Sequence, residues 1–146
     1  MQLTKELKNA IENNAFCAIA THLGNNEIQN HLMWIDHQDD FLLINTEKGR
    51  KKTYNIRTNN SVTLVVFKPS SMYSSWELRG RVVEIISDRS ANDHIDKLSN
   101  RYTKKPYARD EGVSWEESGT KHRELWIIEV DKINSMIRPQ AKSDPE

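Results

Sequence analysis

The sequence predicts a mainly β fold with some α (an α+β domain): a six-stranded antiparallel split β-barrel with short helices flanking it. Three observations favour this fold. The chain has 146 residues, which is the size of one domain. Its apolar residues fall in short runs separated by polar turns, as expected of consecutive antiparallel strands. These runs are too short for a sandwich, and amphipathic segments of helical period interrupt them.

The elements follow in the order α-β-β-β-α-β-β-α-β. Helical spacing predicts helices over residues 3–14, from Thr46 or Glu47 to Thr58, and from an N-cap at Ser87 or Asp88 to Tyr102. Apolar and alternating runs predict strands over 16–22, 27–36, 41–44, 61–68, 75–86 and 123–133. Gly80 interrupts the long 75–86 strand, where we expect a bend or a close backbone contact. One domain over 3–137 and a flexible tail over 138–146 are predicted.

The composition excludes several classes of protein. Lys plus Arg and Asp plus Glu are 21 each, so a strongly basic nucleic-acid binder is not expected. A single cysteine, Cys17, excludes an intrachain disulfide. The charged N-terminus and the absence of a long apolar run predict no signal peptide and no membrane association, hence a cytoplasmic protein. Because only 36% of the residues are hydrophobic, we expect the domain to bury apolar surface in an oligomer.

The most informative segment joins the 41–44 strand to the second helix. It carries Arg50, Lys51 and Lys52 in what should be the first helical turn, where the helix dipole disfavours cations. A bound phosphate would remove this conflict by accepting hydrogen bonds from the free helix amides, the Thr46 hydroxyl and the cations. Gly49 would allow close approach of the backbone. A solvated basic face explains the same residues equally well on charge alone.

A second candidate segment lies on the preceding strand. Alternation places Asn30, Leu32 and Trp34 on one face and His31 and Met33 on the other, so both faces mix polar and apolar groups. Such a strand is typical of the border of a ring-shaped ligand or a partner subunit. Core packing of the apolar side chains is the alternative. No metal site is predicted, and no nucleophile, P-loop or dinucleotide motif is present, so no catalytic acid, base or nucleophile is assigned.

Several segments together resemble a known family. Residues 41–46 (FLLINT) followed by 49–56 (GRKKTYNI) look like the pyridoxamine 5′-phosphate oxidase-like, flavin-binding split-barrel superfamily. Residues 60–66 (NSVTLVV) and 77–81 (ELRGR) fit the same pattern. Residues 95–102 (IDKLSNRY) are similar to the branch of probable deazaflavin-dependent enzymes.

The resemblance, over roughly residues 5–137, implies the site. Lys52 would be the main phosphate ligand, assisted by Arg50 and Lys51, and Asn45 and Thr46 would meet the ribityl–phosphate end. The 30–34 strand would line the tricyclic ring.

The family forms homodimers with the cofactor between the subunits, and residues 73–76, Trp76 among them, could reach it from the second chain. The resemblance therefore implies hydride transfer between a small-molecule substrate and either FMN or the deazaflavin coenzyme F-420, which the 89–102 helix slightly favours. The tail Ser135–Pro139 lacks the arginine-rich motif of the vitamin-synthesising oxidases, so true pyridoxamine phosphate oxidase activity is not expected.

Two other classes of function stay open. A non-catalytic flavin- or haem-handling relative of the same barrel could use His31 or His22 as an axial ligand. A small-barrel nucleic-acid-binding module could use the 48–57 basic segment, with Tyr54 and Trp34 as stacking surfaces. The zero net charge and the acidic 110–117 segment argue against the latter.

Overall fold

A computed structural model describes residues 1–107 and 122–136. The predicted tail over 138–146 and most of the polar segment before the last strand lie outside the described residues. Within them the helices are α1 (Lys5–Glu12), α2 (Lys51–Thr58) and α3 (Arg89–Thr103). The strands are β1 (Phe16–His22), β2 (Ile28–Met33), β3 (Asp36–Gln38), β4 (Phe41–Glu47), β5 (Ser61–Lys68), β6 (Ser71–Ile86) and β7 (Arg123–Ser135).

All strands join one antiparallel sheet in the order β2-β1-β5-β6-β7-β4-β3. The inner faces of β1, β4, β5, β6 and β7 contribute to a single hydrophobic core, which α1 also enters through Leu7 and Ile11. The sheet curves strongly, because side chains of β1 and of β4, which three strands separate, line the same cavity. This is the predicted mainly β architecture of an open barrel flanked by helices.

The number of strands differs from the prediction, which was six. The predicted 27–36 strand is two strands at opposite edges of the sheet, since β2 pairs with β1 and β3 pairs with β4. The chain leaves the ladder at Trp34 and Ile35, where α3 supplies the hydrogen bonds instead. The Ile35 amide donates to the Tyr102 hydroxyl at 3.2 Å, and the Ile35 carbonyl accepts from Arg101. Tertiary hydrogen bonds of this kind leave no local pattern in the sequence.

The second helix also begins later than predicted. Strand β4 continues through Thr46 to Glu47, and α2 starts only at Lys51 after a turn in which Gly49 has φ +91°. The other two helices agree with the prediction in place, and Asp88 is the N-cap of α3, with its carboxylate accepting from the Ser90 amide. The close contact predicted at Gly80 is confirmed, because a Cβ there would lie 2.2 Å from the Glu129 carbonyl oxygen.

None of the helices in residues 1–107 and 122–136 combines the length and the apolar character that crossing a bilayer requires.

Candidate functional site

The start of α2 leaves its backbone amides without a side-chain cap. Arg50 occupies the N-cap position in an extended conformation and makes no capping hydrogen bond, and the first turn contains no acidic residue. The free amides and the positive end of the helix dipole therefore lie just after the end of β4. Both favour a negative charge at this position. Arg50 and Lys51 are exposed, whereas Lys52 turns inward.

Lys52 is the central residue of the site. Only 2% of its surface is exposed, and its Nζ has no hydrogen-bond partner among the described residues. Burial, with the nearby charges of Arg50 and Arg123, lowers the pKa of Lys52 to about 8, although Glu47 acts in the opposite direction. A buried ammonium with no hydrogen-bond partner among the described residues is costly, and a bound anion would remove this cost.

Further polar atoms are buried without a partner among the residues that the structure describes. They are Thr21 Oγ1, Gln29 Oε1, His31 Nε2, Thr46 Oγ1 and Asn55 Nδ2. The sheet register explains their assembly: Thr21 lies opposite Gln29, His31 lies opposite Ile19 on the same face, and α2 packs on β1. Burial, Lys52 and Arg50 lower the pKa of His31. Because native proteins pair nearly all of their buried polar groups, these unpaired atoms are candidates for contacts with a ligand.

A cavity of about 430 Å³ lies beside this cluster. Its lining residues are Phe16, Cys17, Leu32, Met33, Trp34, Asn45, Phe67, Ile95, Tyr107 and Arg123. The lining is mostly apolar and aromatic with a few polar groups, which is the usual composition of a cofactor pocket. Trp34 is held in the wall by stacking on Tyr102, with ring centroids 5.2 Å apart, and by an edge contact with Tyr107.

Arg123 links the cavity to the cationic cluster, which consists of Arg50 and Lys52. It is 6% exposed, its Nε donates to Asn45 Oδ1 at 2.8 Å, and its Nη1 donates to the Tyr107 hydroxyl at 3.2 Å. The guanidinium lies over the Tyr107 ring, 4.8 Å from the centroid. Since Arg123 lines the cavity and also lowers the pKa of Lys52, the positive potential extends from α2 into the cavity.

The structure divides the predicted site residues into groups. Leu32, Met33, Trp34 and Asn45 line the cavity. His31, Thr46 and Lys52 contribute buried, unpaired polar atoms, and Arg50 acts on them through its charge.

Three predicted residues lie elsewhere. Asn30 and Lys51 are exposed. Trp76 requires a correction, because it is 2% exposed in the core of its own chain and presents no surface to a second subunit. Nearer the start of β6, Met72 and Tyr73 are exposed.

Sequence reasoning missed Arg123, Tyr107, Ile95 and the Phe16–Phe67 pair. The sequence pattern that could have identified Arg123 is the charged pair Arg123-Glu124 at the start of an apolar strand. The structure buries both residues of this pair. Phe16 and Phe67 are cross-strand partners with ring centroids 5.8 Å apart. The sequence pattern that could have identified them is an aromatic residue near the end of each strand.

Comparisons with known proteins give the family and the fold. The family model described as pyridoxamine 5′-phosphate oxidase matches residues 3–136. No curated protein matches the chain. Among solved structures, an F420 reductase is 21% identical with a TM-score of 0.74, over 91% of this chain and 99% of that one. HupZ from Group A Streptococcus is 16% identical with a TM-score of 0.61, over 90% and 91%. General Stress Protein 26 from Bacillus anthracis is 17% identical with a TM-score of 0.61, over 88% and 89%.

Proposed function

The chain belongs to the pyridoxamine 5′-phosphate oxidase family, and on this premise we propose that it is an oxidoreductase that uses a flavin-type cofactor, either FMN or the deazaflavin coenzyme F-420. The cofactor phosphate would bind at Lys52, and its ring would lie in the adjoining cavity. The single observation that carries the proposal is the buried, unpaired ammonium of Lys52 at the uncapped start of α2. A phosphate supplies the negative charge and the acceptor oxygens that this group lacks.

The other unpaired atoms fit the same ligand. The Thr46 hydroxyl, the His31 ring nitrogen and the Asn55 amide can each donate to a phosphate oxygen or to the first ribityl hydroxyls. Arg50 adds charge from the exposed side. Ring contacts would come from Met33 and Trp34, whose side chains wall the cavity.

When bound, the cofactor supplies the hydride chemistry itself. The residues of this chain bind and orient it: the cationic cluster holds one end, and the aromatic wall excludes water from the other. No residue is assigned as a catalytic acid or base. The substrate would be a small organic molecule that stacks on the open side of the ring.

The proposal includes a homodimer. Leu32 is 78% exposed, and Phe16, Val65, Met72 and Tyr73 are exposed as well. Phe16 and Leu32 also line the cavity, so the cavity opens on an apolar surface. An exposed apolar patch of this kind favours a protein partner, and a second copy of the chain would cover the patch and close the cofactor groove.

The test compares two neighbouring lysines. Lys52→Ala should weaken the affinity for FMN or the deazaflavin coenzyme at least tenfold, as expected from losing one charge-assisted hydrogen bond. Lys51→Ala, in the same helical turn but exposed, is the matched control and should change it little. Affinity is measured by quenching of cofactor fluorescence. Equal affinities of Lys52→Ala and the wild type would refute the assignment.

A second measurement separates an enzyme from a protein that only carries cofactor. The visible spectrum of the purified protein, with mass identification of any released chromophore, distinguishes flavin or deazaflavin from haem. Oxidation of the reduced cofactor by candidate acceptors is then followed at its absorption maximum. A cofactor that stays reduced with every acceptor would favour the carrier.

A further inference from the structure

His31 occupies an unusual position for a histidine. It lies on the inner face of β2, opposite Ile19 of β1, while its neighbours Asn30 and Leu32 face outward. Its Nε2 is shielded from solvent and has no hydrogen-bond partner among the described residues. A neutral imidazole nitrogen in this position has lost its water without gaining a protein partner.

The charges that act on His31 are all positive. Lys52 and Arg50, both from the start of α2, disfavour its protonated form, and burial acts in the same direction. On the inner faces of β1 and β2, the neighbouring Thr21 and Gln29 carry no charge, and burial raises the pKa of the Cys17 thiol so that it stays neutral. Beyond them, Arg123 and Glu47 act on Lys52 with opposite sign. The imidazole of the empty site is therefore neutral at pH 7, since these effects lower the pKa of His31 from its usual 6.5.

We propose that His31 takes up a proton when a phosphate group binds beside Lys52, so that its Nε2–H becomes a further donor to the phosphate. The inference rests on the proposed function, because it requires a phosphate at this place. The proton comes from solvent, and no other bond forms or breaks. The negative charge of the bound phosphate offsets the repulsion that Lys52 and Arg50 exert on a protonated His31. Protonation of His31, which those cations disfavour in the ligand-free protein, then becomes favourable.

The sign of the pH dependence follows. Because the protonated form of His31 is favoured only in the loaded protein, affinity for a phosphate-bearing cofactor should rise as the pH falls from about 8 to about 6.5. Below pH ~6 a phosphomonoester itself becomes protonated, so the gain should end there. FMN carries two phosphate charges above that pH, whereas the phosphodiester of the deazaflavin coenzyme carries one, so proton uptake should be larger with FMN.

The experiment is isothermal titration calorimetry at pH 6.5 in two phosphate-free buffers with different ionisation enthalpies, which gives the number of protons taken up on binding. FMN is compared with riboflavin, and the deazaflavin coenzyme with its phosphate-free riboside. The variant is His31→Gln, which can still donate but cannot titrate. The control is His22→Gln, at an exposed histidine of β1.

The wild type and His22→Gln should take up a fraction of a proton more than His31→Gln. A histidine restored to its usual pKa of 6.5 is half protonated at that pH, and the smaller fraction already protonated in the ligand-free protein is subtracted. Protons lost by the phosphate cancel in this comparison, since every variant binds the same ligand. The phosphate-free ligands should show no difference between variants. At pH 8 the affinity of His31→Gln should lie within threefold of the wild type.

The outcomes separate the two claims. Tighter binding of the phosphorylated ligands, with equal proton uptake in the wild type and His31→Gln, overturns the role of His31 and leaves the phosphate site standing. Equal binding of the phosphorylated and phosphate-free ligands overturns the phosphate site, and with it the role of His31. Proton uptake that persists in His31→Gln and grows towards pH 8 would assign the linkage to Lys52 instead.

Discussion

Two polar clusters of this protein differ in one respect: whether their hydrogen bonds are complete. The first, called here the Asp36 network, consists of Asp36, His94, Arg101, Asn45 and Arg123. The second, the Lys52 cluster, consists of Lys52, Thr46, His31 and Asn55. They meet at consecutive residues of β4, because Asn45 belongs to the first and Thr46 to the second.

In the Asp36 network every member hydrogen-bonds to another member, and further partners lie next to it. One carboxylate oxygen of Asp36 accepts from His94 Nε2 at 2.9 Å, and the other accepts from Arg101 Nη1 at 3.1 Å. His94 Nδ1 lies 3.1 Å from the Asn45 amide nitrogen, which also donates to the Ala91 carbonyl. Asn45 Oδ1 accepts from Arg123, so each polar group has a partner. Such a network fixes α3 against β3, β4 and β7.

The Lys52 cluster also contains buried nitrogen and oxygen atoms, but these atoms lack hydrogen-bond partners within residues 1–107 and 122–136. Its ammonium, hydroxyl, imidazole and amide groups each keep a buried atom without a partner among the described residues. An unpaired buried polar group costs about 1–3 kcal/mol. A bound ligand would remove this cost, so the contrast supports the proposal that the first cluster serves stability and the second serves binding.

The largest effect should come from breaking the complete cluster. Asp36→Ala removes the acceptor of Arg101 and His94 and should lower the free energy of unfolding by about 3–5 kcal/mol, the usual cost of a broken buried pair. Urea denaturation followed by tryptophan fluorescence measures it. Cofactor affinity of the folded fraction should stay close to the wild-type value. A loss of affinity without a loss of stability would reverse the assignment of the two clusters.

The opposite change is expected in the incomplete cluster. Lys52→Met keeps most of the side-chain volume and removes a buried charge whose pKa is depressed from 10.5 to about 8. Below pH 8 the empty folded protein holds this proton less tightly than the unfolded chain does, and this lowers its stability. Lys52→Met should therefore raise the free energy of unfolding of the ligand-free protein by about 1–3 kcal/mol at pH 7 while weakening phosphate binding at least tenfold.

The same variant has a pH signature. Stability of the empty wild type should increase as the pH rises from about 8 towards 10.5, because the destabilising charge is lost, and Lys52→Met should not show this increase. Denaturation of both proteins at pH 7 and pH 9.5 measures the difference. Parallel curves would mean that Lys52 is not the destabilising group.

The sequence predicted these two clusters unequally. The Lys52 cluster could be predicted from the sequence, because three adjacent cations after a buried strand conflict with the helix dipole. This conflict is visible in a short stretch of sequence. The Asp36 network could not be predicted from the sequence, because its members come from β3, β4, α3 and β7 and no local pattern links them. The strand count failed for the same reason, because Tyr102 and Arg101 of α3 end β2 by tertiary hydrogen bonds.

Acid should act on the Asp36 network. Burial alone would raise the pKa of Asp36, but hydrogen bonds from the His94 ring and the His37 amide, together with the charge of Arg101, outweigh it and lower the pKa to about 2. A depressed carboxyl pKa stabilises the folded state above its unfolded value of 3.8, and this contribution disappears as the pH falls towards 2.

We expect the wild type to lose about 1–2 kcal/mol from this group between pH 4 and 2, after allowance for solvent screening. Asp36→Asn should show a shallower slope over the same range in chemical denaturation. Identical slopes would indicate that other carboxylates dominate the acid transition.

The smallest effect should arise at the exposed edge of the Lys52 cluster. More than half of the Arg50 side chain is exposed, and its Nε lies 4.0 Å from a Glu47 carboxylate oxygen, so water and Glu47 both weaken its field at the site. Arg50→Gln should reduce cofactor affinity by less than about tenfold, against at least tenfold for Lys52→Ala. In about 1 M salt, where the Debye length is ~3 Å, the Arg50→Gln defect should nearly vanish and the Lys52→Ala defect should persist. Fluorescence titrations at low and high salt make the comparison. If both defects were equally sensitive to salt, Lys52 would be binding the anion from solvent, as Arg50 does, and its burial would not be the source of affinity.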